Sequence, residues 1–416
     1  MRNLAFLPEE DITFIELKAK NFKLSFQDRI QLEIIASDLR RWDEGSISQF
    51  WEDPENKKLK GKNRKRFAMN TIKAKWENLK TEPKNYGTFN SEYKAPKKDS
   101  QLIDQSPDSP IMGRCPVASE KTRCCNLYTL DAVINCGFDC SYCSIQTFYH
   151  TEKVLFHQDL QEKLENLATE LEPEKRYHIG TGQSSDSLMW GNHGKMMKNL
   201  FDFASSNKNV LLELKSKSDN ISYLIENDIP ANVLTTWSIN TPVIIENEEH
   251  LTSNLEARIS AAKKIADKGN LIGFHFHPII IYKGWKEDYK KIFKLILDNF
   301  KPESITHISF GTLTFIKPVI KELRERELKS KILQMPMEEI AGKLSYPFET
   351  KKEIFSFAYN AFEKWHDKLF FYMCMEDIRL WKDVFGREYE NNEEFENDMI
   401  NSYFKKVEKL WTKQSL

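Results

Sequence analysis

Three cysteines within eight residues, Cys136, Cys140 and Cys143, are the side chains whose type and spacing most directly imply chemistry. In the order Cys-x3-Cys-x2-Cys, three thiolates can converge on one centre. Iron–sulfur cubanes normally take four cysteine thiolates, so three from one loop leave one iron open to a ligand from outside the chain. The alternative is a structural zinc site completed by Cys124, Cys125 or a histidine. Zinc sites favour paired Cys-x2-Cys halves and rarely open a parallel β/α domain, so the spacing predicts a [4Fe–4S] cluster on Cys136, Cys140 and Cys143. Gly137 is expected to let the loop wrap round the cluster, because glycine adopts backbone angles that other residues avoid. Phe138 and Tyr142 are expected to shield it from water. Cys115, Cys124 and Cys125 read either as inert buried thiols or as ligands of a second metal, and Cys374, inside an apolar run, reads as a core residue.

The elements that must position this loop follow from periodicity. LYTLDAVINC reads as a strand running directly into the cysteines. RYHIGTG, VLLELKSK, NVLTTWSIN, LIGFHFHPIII and THISFGTL follow as short β-rich runs, and KLFFYMCM is a candidate for one more. Amphipathic stretches such as NLEARISAAKKIADKGN and KEDYKKIFKLILDNF separate them, which argues for parallel strands joined by right-handed crossovers. The expected class is α/β, a partial (β/α)6 TIM-type barrel with helical N-terminal and C-terminal extensions. Residues 1–110 read as a mainly helical extension with a linker to about 125, residues 126–335 as the barrel, and 336–416 as a mostly helical C-terminal region. Within the first of these, DRIQLEIIASDLRRW and FAMNTIKAKWENLK have helical spacing, and KAPKKDSQLIDQSPDSPIMG has linker composition. The basic run KKLKGKNRKR, with Lys57, Lys58, Lys60, Lys62, Arg64, Lys65 and Arg66, reads as a solvated loop, although such a run can attract phosphates.

Parallel β/α architectures gather ligands where strands reach their C-terminal edge. Polar or special residues sit at that edge in every unit: the cysteine loop, Gly180 to Ser187, Lys215 and Lys217, Ser238 and Asn240, His275 and His277, and Gly311 and Thr312. Ser185 and Asp186 can alternatively cap a helix. His275 and His277 share one strand face and either touch a substrate or satisfy each other's surroundings in the core.

Composition adds boundaries. Among 416 residues, 61 Lys and Arg against 62 Asp and Glu leave a net charge of −1, which neither implies nor excludes a polyanionic partner. The N-terminus lacks a signal-peptide layout, and no run approaches the roughly 20 apolar residues that cross a bilayer. A cytoplasmic protein without membrane association is expected, in which seven cysteines serve as thiols or ligands rather than disulfides.

With these residues in view, the chain resembles the spore photoproduct lyase family of radical S-adenosylmethionine (SAM) enzymes over about residues 125–385. The resemblance rests on NCGFDCSYCSIQT, IGTGQSSDSL, LLELKSKSDN, WSINTPVIIENEEHLTSNLEARISAAKKIADKG, FHFHPIIIYKGWKEDY, ISFGTLTF and CMEDIRLWKDVFG, taken in order. It implies that the amino and carboxylate groups of SAM fill the open iron position, and that reductive cleavage of SAM releases a 5′-deoxyadenosyl radical. In DNA-repairing members that radical takes a hydrogen from a thymine dimer, the spore photoproduct, and two thymines are regenerated. By the same resemblance Ser185, Lys217 and Ser238 match polar residues that contact SAM, and Tyr142 matches a tyrosine at the cluster and nucleoside. A DNA substrate and an electron donor such as flavodoxin or ferredoxin are implied as partners.

The chain departs from the family at two positions. Gln183 stands where repairing members carry the cysteine that returns a hydrogen atom to the product, and an amide N–H is too strong to do so. Ser144 stands where a tyrosine follows the third cluster cysteine. Tyr142 and Gln183 are expected near the reaction centre, with no catalytic residue assigned. Cys124, Cys125 or Cys374 can supply the hydrogen if folding brings one close. Two further alternatives are a radical enzyme acting on another substrate and a non-catalytic iron–sulfur protein that binds nucleic acid through the basic run.

Overall fold

The computed structural model describes residues 7–53, 59–93, 101–105, 110–115, 122–145, 153–340 and 342–414. Lys57 and Lys58 of the basic run, residues 94–100 and 106–109 of the linker stretch, and Gln146 and Thr147 after the cysteines lie outside the described residues. The chain divides into two units: residues 1–95, 281–283 and 314–347 form one, and residues 96–280, 284–313 and 348–416 the other.

The larger unit is built on one sheet of eight strands, β1 (Met112–Arg114), β2 (Tyr128–Leu130), β3 (Tyr177–Thr181), β4 (Val210–Ser216), β5 (Val233–Ser238), β6 (Ile272–Ile279), β7 (Ile305–Thr312) and β8 (Phe370–Met373). Their order in the sheet is their order in the chain. All neighbours from β2 to β8 pair in parallel, and β1 pairs antiparallel with β2. Each parallel step needs a crossover, and helices such as Met196–Ser206, Leu255–Asp267, Trp285–Asn299 and Phe348–Asn360 fill them. Because the order never reverses and crossovers share one hand, the helices collect on one face and the sheet curls with the other face inward. The six expected β/α units are present, and KLFFYMCM supplies a seventh parallel strand, β8, whose four residues are all buried.

Alternation along β6 sorts the two faces. Phe274 and Phe276 point outward; Phe276 packs at 5.2 Å from Phe293 of the Trp285–Asn299 helix and 6.1 Å from Phe310 of β7. His275 points inward, where Glu213, Thr236 and Ser309 meet it. Around His275 the inner face is therefore polar and buried, and Gly273 makes room for it. A Cβ there would stand 3.0 Å from both His307 and Thr236.

The smaller unit has its own core around Ile15, Leu32, Ile35, Leu39, Trp42, Ile72 and Trp76, supplied by helices Glu9–Phe22, Phe26–Arg41 and Gly61–Thr81. Ser25 and Asp28 form a capping box that starts the second helix. Asp38 accepts two hydrogen bonds from Arg324, which joins residues 314–347 to these helices. The basic run is only partly a loop: Lys62, Arg64, Lys65 and Arg66 lie in the first turns of the Gly61–Thr81 helix. Arg64 pairs with Asp53 at 3.3 Å and Lys65 pairs with Asp28, so two of the charges are neutralised within the protein. The linker stretch also holds structure. Gln101–Asp104 is a strand parallel to Lys153–Phe156, a partner some fifty residues away that local composition does not reveal.

Candidate active site

The cysteine loop leaves the short strand Val133–Ile134 through Asn135, whose φ of 74° is a left-handed conformation that asparagine tolerates better than most residues. Its Oδ1 accepts from the Cys136 amide at 2.8 Å and its Nδ2 donates to the Lys153 carbonyl at 3.1 Å, which fixes the entry to the loop. The Phe138 amide donates to Cys136 Sγ at 3.4 Å. Asp139–Cys140 then pairs antiparallel with Glu249–His250, and the Ser141 amide donates to the Glu248 carbonyl at 2.9 Å. The Ser141 and Tyr142 hydroxyls donate to the carboxylates of Glu248 and Glu249. Gly137 is needed for a different reason from the one expected. Its φ is not in the left-handed range, but a Cβ would lie 2.4 Å from Met189 Cε and 2.9 Å from the Trp190 ring.

Behind the loop stands Arg258, fully buried on the Leu255–Asp267 helix. It pairs with Glu249 at 2.7 Å and donates to the carbonyls of Ser238 at 2.9 Å and Ser253 at 2.8 Å. One guanidinium thus ties the end of β5 to the cysteine loop. An unpaired buried charge is very costly, so loss of either partner would be strongly destabilising.

The opposite wall follows β3. Gly182 has φ +90°, and a Cβ there would meet the Lys215 carbonyl at 2.6 Å and Ser187 Oγ at 2.8 Å. Asp186 accepts from the amides of Leu188 and Met189 at 3.0 Å, from Ser216 Oγ at 2.8 Å and from the Lys217 amide at 2.7 Å. Burial raises its pKa against those four donors. Ser185 Oγ accepts from the Trp190 indole at 2.9 Å. Neither Ser185 nor Asp186 caps a helix, since the next described helical turn begins at His193.

These walls enclose a cleft with about 530 Å³ of empty space at the C-terminal ends of the strands. Cys136, Cys140 and Cys143 line it together with Phe138, Gln183, Ser185, Lys215, Lys217 and Ser238. Tyr142 and Ser144 are not among the lining residues. The Tyr142 ring lies beneath the Lys217 ammonium at 5.8 Å, while its hydroxyl is turned to Glu249. Burial pushes the Cys136 thiol up to about 12, with Asp186 adding to the effect. Burial likewise raises Cys140, and Lys217 opposes it. Burial pulls the Lys217 ammonium down, but Cys140 and Glu249 outweigh it and hold the group above its ordinary value.

Three cysteines line the cleft with no fourth cysteine or histidine beside them among the described residues, which fits a cluster with one open iron position. Among the described residues, the only three ligating atoms all within 4.8 Å of one another belong to Glu213, His275 and His307. A tetrahedral zinc with Zn–S near 2.3 Å draws its thiolates to about 3.8 Å from each other. The three thiols line one cleft and are not all within 4.8 Å of one another. His275 is a core residue: its Nδ1 meets Ser309 at 2.6 Å, its Nε2 meets Glu213 at 2.6 Å, and burial lowers its pKa to about 4. His277 meets Ser309 Oγ at 3.0 Å and is not among the cleft-lining residues. The smaller unit holds a roomier cleft, about 1200 Å³, whose lining includes Ile320, Leu333, Met335 and Arg324 but no cysteine or histidine.

A curled sheet of parallel strands in sequential order, with a three-cysteine loop at its C-terminal edge, is the radical SAM partial barrel. Solved spore photoproduct lyase structures share the fold. A cysteine-to-alanine mutant with dinucleoside spore photoproduct superimposes with TM-score 0.56 at 19% identity, over 65% of this chain and 81% of the other. A double mutant with bound AdoMet and dinucleoside spore photoproduct gives 0.55 at 19% identity, over 73% and 93%. The family model described as spore photoproduct lyase matches residues 114–358, and the chain belongs to that family. The Clostridium acetobutylicum spore photoproduct lyase is 29% identical over 176 residues, 41% of this chain and 52% of the relative. The Bacillus subtilis enzyme is 25% identical over 213 residues, 49% of this chain and 61% of the relative. The chain therefore matches less than two thirds of the length of these relatives.

Asn135, Glu249 and Arg258 are not among the residues that the sequence marks as a site, while Gly182 falls within the marked stretch Gly180 to Ser187.

Proposed function

We propose that the protein is a radical SAM enzyme of the spore photoproduct lyase type. Cys136, Cys140 and Cys143 would hold a [4Fe–4S] cluster, and Ser185, Lys217 and Ser238 would hold SAM, with Tyr142 supporting Lys217 from behind. The observation that carries this is the convergence of all three loop thiols with Lys217, Ser185 and Ser238 on one cleft at the strand ends. When bound, a cluster and SAM supply one-electron cleavage of the sulfonium and, through the 5′-deoxyadenosyl radical, abstraction of a hydrogen from substrate. The chain's own contribution is positioning. Lys217, kept protonated by Cys140 and Glu249, offers a cation for the carboxylate of the cofactor. Arg258 and Asp186 keep the two walls in register, and Phe138 excludes water from the cysteines.

The favoured substrate is a thymine photoproduct in DNA, on the strength of the relatives that carry dinucleoside spore photoproduct. Gln183 lines the cleft at the family's hydrogen-return position, so in this chain that hydrogen comes from another group. A flavodoxin or ferredoxin would deliver the electron. No described helix is long and apolar enough to cross a membrane. Cysteines outside disulfides suit a reducing compartment, and we assign the chain to the cytoplasm. Reconstituted protein incubated anaerobically with SAM, dithionite and dinucleoside spore photoproduct is expected to regenerate the two thymines. Formation of 5′-deoxyadenosine with the photoproduct left unchanged would remove this substrate and leave the radical chemistry standing.

A further inference from the structure

The seven cysteines fall into two groups, three in the loop and four elsewhere, and the fold brings the four together. Thr122–Arg123 pairs antiparallel with Glu376–Asp377, Arg123 opposite Glu376 and Thr122 opposite Asp377. Cys125 and Cys374 each lie two residues beyond this pairing, at the same end of it. The Cys115 amide donates to the Leu127 carbonyl at 3.0 Å, which lays Cys115 alongside the same segment. Cys374 is held at the end of β8 by a 2.8 Å bond from its amide to the Phe310 carbonyl, and the Cys124 amide is held by Asn392 Oδ1 at 3.0 Å. Both segments bend sharply beside the thiols. Asn126 has φ 50° and Met375 φ 55°, the latter a strained conformation for a methionine. Because residues 124–127 are not a regular strand, the adjacent Cys124 and Cys125 are not forced onto opposite faces.

Electrostatics report the same neighbourhood. The Cys125 thiol is pushed well up by its hydrogen bond with Cys124, by burial, and by the charges of Cys124, Cys374 and Cys115. Burial also raises Cys374, and Cys115 and Cys124 add to it while Lys215 opposes. A single buried cysteine is an inert small apolar residue. Four from three separate segments meeting in one place are a complete ligand set for an iron–sulfur cluster or for zinc.

We propose that Cys115, Cys124, Cys125 and Cys374 bind a second iron–sulfur cluster, on the side of Lys215, a residue that lines the cleft of the first. This does not depend on the SAM reading, because the test uses protein that lacks the loop cysteines. Full-length protein would be reconstituted anaerobically with ferrous iron and sulfide, as wild type, as the Cys136→Ala, Cys140→Ala, Cys143→Ala triple variant, and as the Cys115→Ala, Cys374→Ala double variant. Wild type is expected to hold more than the roughly four irons of one cubane. The triple variant should remain brown with a substantial share of that iron, and the double variant should lose that share. Reduced wild type should also give two electron paramagnetic resonance signals, of which SAM shifts only one. A folded triple variant with no iron or sulfide, or one that binds zinc instead, would overturn the proposal. If the triple variant does not fold, a single signal in reduced wild type with about four irons per chain would overturn it as well.

Discussion

Two dense groups of polar side chains occupy the same barrel, and they differ in where their hydrogen-bonding capacity goes. Inside the barrel, Glu213 accepts from His178 at 2.8 Å, from Thr236 at 2.6 Å and from His275 at 2.6 Å. Ser309 joins His275 to His277, and His307 closes on His275 at 3.5 Å. Glu213, His275 and His307 have the spacing of a metal triad, but they use their atoms on one another. In the cleft above, Asp186 is likewise spent on shaping the walls, whereas the three thiols, Gln183, Ser185 and Lys217 line the space between those walls. Residue type does not separate the two groups. Position does: one lies within the strands and is completed by neighbouring strands, the other lies past their ends and lines a cleft.

The comparison breaks most readily at Glu213. Glu213→Ala strands the imidazoles of His178 and His275 in the core, and about 3–5 kcal/mol of stability should be lost in denaturant unfolding. Lys217→Ala should change stability little while abolishing SAM binding measured by calorimetry. Equal stability losses at the two sites would mean that the groups do not differ as described.

A smaller effect is expected with pH. His275 has an ordinary value of 6.5 and a folded value of about 4, so the unfolded chain takes up the proton first. Burial works against the Glu213 carboxylate, yet His275 and His178 hold it well below its ordinary 4.5. Both are depressed, so their contribution is fully present above pH 6.5 and is lost as pH falls through about 4 and below. Unfolding free energy measured between pH 7 and pH 4 should therefore decline, and the decline should be shallower in His275→Gln. A flat profile in wild type would contradict the buried lattice.

The smallest change sharpens the cleft side. Gln183→Cys puts a thiol S–H where the amide now stands, and the fraction of photoproduct returned to thymine per 5′-deoxyadenosine formed should rise. An unchanged ratio would show that the hydrogen already arrives efficiently from elsewhere.

Much of this was legible in the sequence because it is local. The cysteine loop is a spacing, and the strand ends repeat at intervals set by the β/α rhythm. What was not legible depends on partners far away. Arg258 reads as an ordinary helical arginine until Glu249 and the Ser238 carbonyl close on it. Gly182 reads as one turn glycine among several until the Lys215 carbonyl approaches. Gly137 was the right residue for the wrong reason, since Met189 and Trp190 come from another segment. The basic run looked like a loop because its charges mask helix periodicity, and one of the acids that neutralise part of it, Asp28, is distant in the chain.

The most direct test of the central claim is 5′-deoxyadenosine release from SAM under dithionite, in anaerobically reconstituted wild type and in Cys140→Ala. A brown wild-type protein that releases the nucleoside, with release abolished in Cys140→Ala, is the predicted result. A colourless, zinc-loaded wild type, or release that persists without Cys140, would contradict it.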